Sequence, residues 1–301
     1  MNRKDTDLYF TNVLALSDRE AVLAGHLYLE GSDPSITRVS LLRDGQWLHL
    51  YDMDDIVYGV EQSHGQNGAP AQVCLLGRRG LLRENPRGQP ARDSRLPRKA
   101  GYFFCLREVD GQLYACGTQN QLLRQEPGGW VEQDQGLFAP LQEQVDRTLF
   151  AVDGFTRDDL YAVGMQGAIW HWNGSGWRAL DSPTNVTLHA LLCAPDGQVY
   201  IGGAGGVLLK GGHDSGWADI SDDSLCQHAI ESLAWFREQL YAAGQTTLLR
   251  WDGTSLQQGV TPAYEDAAFF SLDACEAALW SVGNDYLLSY DGQHWQHHPT
   301  P

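Results

Sequence analysis

The groups in this chain that could do chemistry are its imidazoles, thiols and carboxylates. His294, His297 and His298 crowd beside Pro299, and three imidazoles at such spacing could hold a divalent transition metal. They fall on what reads as a last strand and tail, so a solvated terminus is the expectation. Cys226 and His228 offer one thiolate and one imidazole, without the second ligand pair a zinc site needs. The tract GGAGG at 202–206 is rich enough in glycine to cradle a phosphate. No helical pattern follows it, so it reads as a hairpin turn. The sequence holds no GxSxG, no HExxH, no Walker loop and no GxGxxG ahead of a helix, which are the spacings that serve nucleophilic, metal-hydrolytic and nucleotide chemistry. No catalytic residue, metal ligand or cofactor is therefore assigned, and the reading leans away from an enzyme.

The six cysteines, Cys74, Cys105, Cys116, Cys193, Cys226 and Cys275, form no CxxC pair. Most lie in apolar strand-like runs, where a free thiol packs as a small hydrophobe. Reduced thiols and a cytoplasmic location are expected. Cys105 and Cys116 fall where adjacent strands would set them face to face, and even there free thiols are the expectation. The opening MNRKDTDLYF carries no apolar core of a signal peptide, and no stretch approaches the roughly 18 apolar residues of a membrane helix.

Any such group must be positioned by a β framework. The 301 residues include 33 Gly and 10 Trp with only three Lys, Lys4, Lys99 and Lys210. Many glycines and aromatics among short apolar runs indicate an all-β chain with tight turns. The segment DLYAVGMQGAIWHWNGSGWRAL (159–180) has relatives at 111–130, 197–217, 238–256 and 277–295. Each is an apolar strand closing in Gly, a turn, a second strand, another turn, and then Trp or Leu. The closing glycines Gly77, Gly117, Gly164, Gly203, Gly244 and Gly283 are 40, 47, 39, 41 and 39 residues apart. The markers Trp130, Trp177, Trp217, Leu256 and Trp295 keep the same beat, at 47, 40, 39 and 39. The lone 47 marks an insertion near 134–147. A degenerate copy at the N-terminus carries Gly25 and Trp47, and another covers 56–83.

With one more apolar run upstream of each glycine strand, every unit holds about four short strands, and there are seven units. A lone four-stranded sheet of that length cannot bury both faces; repetition about an axis lets each sheet pack on its neighbours. The predicted fold is all-β, a seven-bladed β-propeller of four-stranded antiparallel blades in one domain. Its blades are expected at 8–50, 51–84, 101–133, 148–180, 188–220, 229–258 and 267–298, with a loop insert at 85–100. Asp44-Gly45, Asn173-Gly174, Asp252-Gly253 and Asp291-Gly292 predict two-residue hairpins. The tryptophans are expected to pack between sheets rather than to form a ligand cage.

The pattern LYAVG-x-x-G-x-I-W-x-W-x-G-x-x-W resembles the blade repeat of bacterial seven-bladed β-propellers of WD-repeat-like architecture, over nearly the whole chain. The GH…WD signature of true WD repeats is missing, and tectonin-type lectin propellers use a similar Gly- and Trp-marked repeat. The resemblance implies a fold; propellers host binders, lectins and enzymes alike.

Charge carries the functional signal. The formal net charge is −17, yet residues 78–107 carry nine basic side chains against Glu84 and Asp93, or +7, leaving −24 on the rest. Nucleic acid and an anionic membrane are poor partners for that surface. Many carboxylates fall in the connections between units, which in a propeller emerge on one end: Asp54, Asp55, Asp134, Asp146, Asp181, Asp222, Asp223, Glu265 and Asp266. Such a rim would steer a basic protein partner. The basic exception, 85–101, reads as a long loop presenting Arg92, Arg95 and Arg98, and the insert 136–147 offers Leu137, Phe138 and Leu141 as a contact patch or as a short helix packed on the disc. The leading expectation is a non-catalytic cytoplasmic protein-binding propeller, in its sharper form an acidic inhibitor or immunity protein that neutralises a basic secreted toxin. A lectin-like or small-ligand propeller, and a metal-dependent hydrolase or lyase working at the central funnel, remain open as alternatives.

Overall fold

The computed structural model describes residues 6–29, 35–64, 71–138, 147–259, 268–283 and 286–300. They build seven four-stranded antiparallel sheets, each with its strands in chain order, at 6–53, 57–95, 103–132, 149–180, 188–219, 232–258 and 271–298. This is the seven-bladed β-propeller that the repeat predicts. The chain divides into two compact units. The first holds residues up to Val57, Gly205–Val207 and the chain from Ile220 on, with blades 1, 6 and 7; the second holds Tyr58–Ala204 and Leu208–Asp219, with blades 3 and 4 and most of blades 2 and 5.

Each unit buries its apolar residues between successive sheets. In the first, Phe10, Leu23 and Leu42 of blade 1 meet Trp280, Val282 and Leu287 of blade 7. In the second, Tyr114, Cys116 and Leu122 of blade 3 meet Leu149, Val152 and Leu160 of blade 4. The tryptophans tie the sheets together. The indole N–H of Trp177 donates to the Gln133 carbonyl behind blade 3 at 2.7 Å, and that of Trp280 donates from blade 7 to the Ser17 carbonyl at 2.8 Å.

The strand-closing glycines recur because backbone passes directly against them. A Cβ on Gly164 would meet the carbonyl oxygen of Thr148, and one on Gly117 that of Tyr102. In each case that carbonyl precedes the first strand of the same blade, so the repeat admits no side chain there.

Two local expectations are corrected. Arg92–Arg95, expected within a loop, is the fourth strand of blade 2, paired with Leu81–Pro86 from Leu81↔Arg95 to Glu84↔Arg92. All four residues are exposed, and an outer strand held by backbone pairing alone leaves no apolar alternation to read. Of the four predicted two-residue hairpins, only Asp44-Gly45 forms, with both φ positive (49° and 75°). At the other three sites the pairing runs Trp172↔Trp177, Trp251↔Leu256 and Tyr290↔Trp295, leaving four-residue loops. There the side-chain oxygen of Asn173, Asp252 or Asp291 accepts the amides two and three residues on, an Asx turn that closes the loop without a second positive φ.

Candidate partner-binding surface

The first strands of blades 2 to 5 present a row of rings. Tyr58, Phe104, Phe150 and His189 are each the second residue of their strand, in Val57–Ser63, Phe103–Val109, Leu149–Thr156 and Leu188–Cys193. Successive ring centroids lie 5.4, 5.2 and 5.3 Å apart, with interplanar angles of 56°, 52° and 52°. The constancy follows from the repeat, since each seventh of a turn is about 51°. The ladder pairing skips Phe104, Phe150 and His189, passing from Phe103 to Cys105, from Leu149 to Ala151 and from Leu188 to Ala190. A bulged residue leaves the pleat and its side chain is re-aimed. Tyr58 is 39% exposed and Phe104, Phe150 and His189 are partly exposed.

Three residues on, a second row is ionic. Glu61, Arg107 and Asp153 are each fifth in their strands. Arg107 lies 3.6 Å from Glu61 and 3.0 Å from Asp153, and Asp153 accepts the amide of Cys193 from blade 5 at 2.9 Å. Neither row was singled out from the sequence. Their signal is a ring recurring at one offset within YFFCL, LFAV and LHALL, and a charge just after the first two, visible only once strand starts are fixed.

The acidic residues divide. Asp54, Asp181, Asp222 and Asp223 are exposed. Serine bonds at Asp222, from the Ser224 hydroxyl and amide, hold its carboxyl below the usual range. Asp55 is buried and accepts the Ile56 amide at 2.9 Å. Asp134 is buried against the ammonium of Lys99 at 2.9 Å, which also reaches Glu132 at 2.9 Å. Burial opposes the Lys99 charge, but these two carboxylates outweigh it and hold its pKa raised. The basic segment thus folds its last cation onto the acidic linker behind blade 3. Arg92, Arg95 and Arg98 are exposed, Arg92 donating to Gln89 at 3.0 Å. Phe138 is half-buried under the Lys99 ammonium, 4.7 Å from the ring centre, and Leu137 is buried in the blade 3–4 core. Asp146, Glu265, Asp266 and Leu141 lie outside the described residues.

The histidine tail is also corrected. His298 is buried in blade 7, 2.8 Å from the Ser289 hydroxyl and stacked on Trp280, and burial lowers its pKa. It is the last residue of the strand Trp295–His298, after exposed Gln296 and His297, and its ring turns onto Trp280 in the core. Ala204–Gly206 makes one turn of 3-10 helix between the strands Val199–Gly203 and Leu208–Gly212. All six cysteines are free, with Cys105 and Cys116 directly opposite on paired strands.

One cluster has no local motif. Asp159 and His171 of blade 4 and His213 of blade 5 bring three ligand atoms within 4.8 Å of one another. They are 42 and 12 residues apart, on separate strands and a turn, so spacing could not announce them.

No protein-family model matches the chain. It is 34% identical over 230 residues to the immune protein Tsi7 of Pseudomonas aeruginosa, covering 76% of this chain and 73% of that protein. Among solved structures it resembles the WD40 β-propeller domain of Doa1 (TM-score 0.71, 16% identity, 97% and 95% of the two chains) and YCF48 bound to D1 peptide (0.66, 16%, 98% and 95%). It also resembles virginiamycin B lyase of Staphylococcus aureus (0.67, 10%, 82% and 85%). At these identities the solved structures show a shared fold, which serves peptide binding in one and lyase chemistry in another.

Proposed function

The chain belongs to the family of the immune protein Tsi7, and from that premise we propose that it is a non-catalytic cytoplasmic inhibitor that binds and neutralises a basic toxin protein. The observation that carries this reading is the 34% identity over 230 residues. Two features of the chain support it. The net charge of −17 would draw in a basic partner. The ring row Tyr58, Phe104, Phe150 and His189 offers aromatic anchors of the kind that concentrate binding energy at protein interfaces, framed by the ionic row of Glu61, Arg107 and Asp153.

In this reading the rings dock and the field steers. Exposed Asp54, Asp181, Asp222 and Asp223 raise the encounter rate, while the rings set how long the complex lasts. The arginine-bearing outer strand Arg92–Arg95 is a second contact, suited to acidic groups on the same partner.

The test is co-expression with a candidate basic toxin, sought first among the proteins encoded beside this gene. Restored growth, together with a stoichiometric complex on gel filtration, is the expected result. Cells that die whether or not this chain is present, with no complex formed, would overturn the reading.

A further inference from the structure

We propose that Asp159, His171 and His213 form a binding site for a zinc-class divalent metal ion, where blades 4 and 5 meet in the second unit. The donor set is two imidazoles and one carboxylate. That is a three-ligand arrangement of the type zinc accepts with one position left open.

The three side chains are already gathered at one place. Nε2 of His171 stands 2.9 Å from Oδ1 of Asp159. The His171 and His213 rings stack at 4.0 Å with 7° between their planes, so their in-plane lone pairs do not converge as they stand, and binding an ion requires one ring to turn about its Cβ–Cγ bond out of the stack. The three ligand atoms fall within 4.8 Å of one another; around a tetrahedral ion with bonds of about 2.1 Å they would stand about 3.4 Å apart, which a side-chain rotation supplies. His171 is held on the strand Ile169–Trp172, 4% exposed. His213 lies on the turn after Leu208–Gly212.

The surroundings also suit an ion. The Tyr161 hydroxyl lies 2.7 Å from Nδ1 of His213 and accepts that residue's amide at 3.2 Å, fixing the ring as outer-shell partners of metal ligands do. Nε2 of the same ring is 3.2 Å from the exposed carboxylate of Asp214. A cleft of about 260 Å³, lined by Phe155, Asp159, Tyr161, Gln198, His213 and Asp214, opens over the cluster and leaves room for a water or a partner's side chain at the open position. Arg178, paired across the strand from His171, is a cation close by, against the carboxylates of Asp159 and Asp214. The reading is independent of toxin binding.

The test uses the full chain without a tag, stripped with chelator and titrated with Co²⁺, whose visible bands report tetrahedral coordination. One equivalent should bind and be displaced by Zn²⁺, and Zn²⁺ should raise the melting temperature. Asp159→Asn and His213→Gln should each weaken binding at least about tenfold, Tyr161→Phe should weaken it about tenfold, and His294→Ala should leave it unchanged. His213 is partly exposed, so its variant is the one least dependent on refolding the core, and circular dichroism checks the fold of each. No saturable Co²⁺ binding by the wild-type chain would overturn the proposal. So would unchanged binding in both Asp159→Asn and His213→Gln.

Discussion

Arg107 reaches from the first strand of blade 3 to Asp153 in the first strand of blade 4 with two parallel bonds, Nε to Oδ1 at 3.0 Å and Nη2 to Oδ2 at 3.3 Å. Asp153 is 3% exposed and spends its second oxygen twice, since Oδ2 also accepts the Cys193 amide of blade 5. One carboxylate therefore joins three blades. At the same repeat position in blade 7, Asp273 accepts the Ala15 amide of blade 1 at 2.7 Å, so the device recurs within the first unit. Replacing Asp153 by Ala removes the two-bond partner of a half-buried guanidinium, which keeps Glu61 at 3.6 Å, and leaves the Cys193 amide without its acceptor. The expected loss is about 2–3 kcal/mol, discounted from the fully buried case because Arg107 keeps water contact. Urea unfolding of Asp153→Ala and Asp153→Asn measures it. The Asn variant should lose less, because it keeps an acceptor for Cys193.

The closing glycines make a stricter demand. Gly164→Ala drives a methyl into the Thr148 carbonyl, and backbone cannot swing aside as a side chain would. A loss of about 2–3 kcal/mol is expected, at the upper end for overpacking. Gly128→Ala is the contrast, because nothing lies within 4 Å of its Cβ position and its φ is not in the left-handed region. It should shift stability by less than about 0.5 kcal/mol. Comparable losses in both variants, read from thermal melts, would show that the close approach is not what the repeat protects.

The closing glycine and the tryptophan mark where the sequence was legible, and the Arg107–Asp153 pair where it was not. Close approach at the glycine and packing of a half-buried tryptophan against the sheet recur in most blades, so they repeat and can be counted. The ring row and the ionic row repeat too, but in His189, Arg107 and Asp153 the residue type changes from blade to blade, and only the offset survives. The outer strand Arg92–Arg95 carries no burial and so no pattern. Asp134 and Asp55 look like any linker acid in the sequence; their burial depends on what folds over them, Lys99 in one case. Asp159, His171 and His213 are assembled by the packing of one blade on the next, which no local window contains.

Acid should weaken the fold through two imidazoles. Burial lowers the pKa of His171 below 6.5, against the opposing bond from Asp159, and burial lowers that of His298 as well. Both rings are therefore held neutral in the folded chain and protonate more easily once unfolded. Their contribution is complete above pH about 6.5 and is lost as pH falls from there towards their lowered folded pKa values. Stability measured from pH 7.5 to 5 should decline, and His298→Gln, which preserves a partner for the Ser289 hydroxyl, should flatten part of that decline. A slope identical in wild type and variant would remove His298 from the account.

The ring row is separable from the core. Phe104 packs at a tilt against both Tyr58 and Phe150, so Phe104→Ala interrupts the row at its middle. Truncating a central aromatic anchor should weaken toxin binding by about 10- to 100-fold, or about 1.4–2.8 kcal/mol. Calorimetric titration against the toxin reads this directly, with Tyr102→Ala, an exposed ring outside the row, as the control. Equal loss in both would mean that the anchors lie elsewhere on the chain.

Electrostatic steering has a different signature. Asp54, Asp181, Asp222 and Asp223 are exposed, so water and salt reach them and each adds little to the final affinity. Together they still contribute four of the charges behind the −17 excess that the proposed basic partner would meet at long range. Changing all four to Asn should slow association several-fold at low ionic strength and leave the dissociation rate nearly unchanged. Raising salt past about 0.5 M should bring the wild-type and variant association rates together, because the screening length then falls well below 10 Å. Stopped-flow association at two ionic strengths separates the possibilities. A faster dissociation with unaltered association would place these carboxylates inside the contact instead of around it.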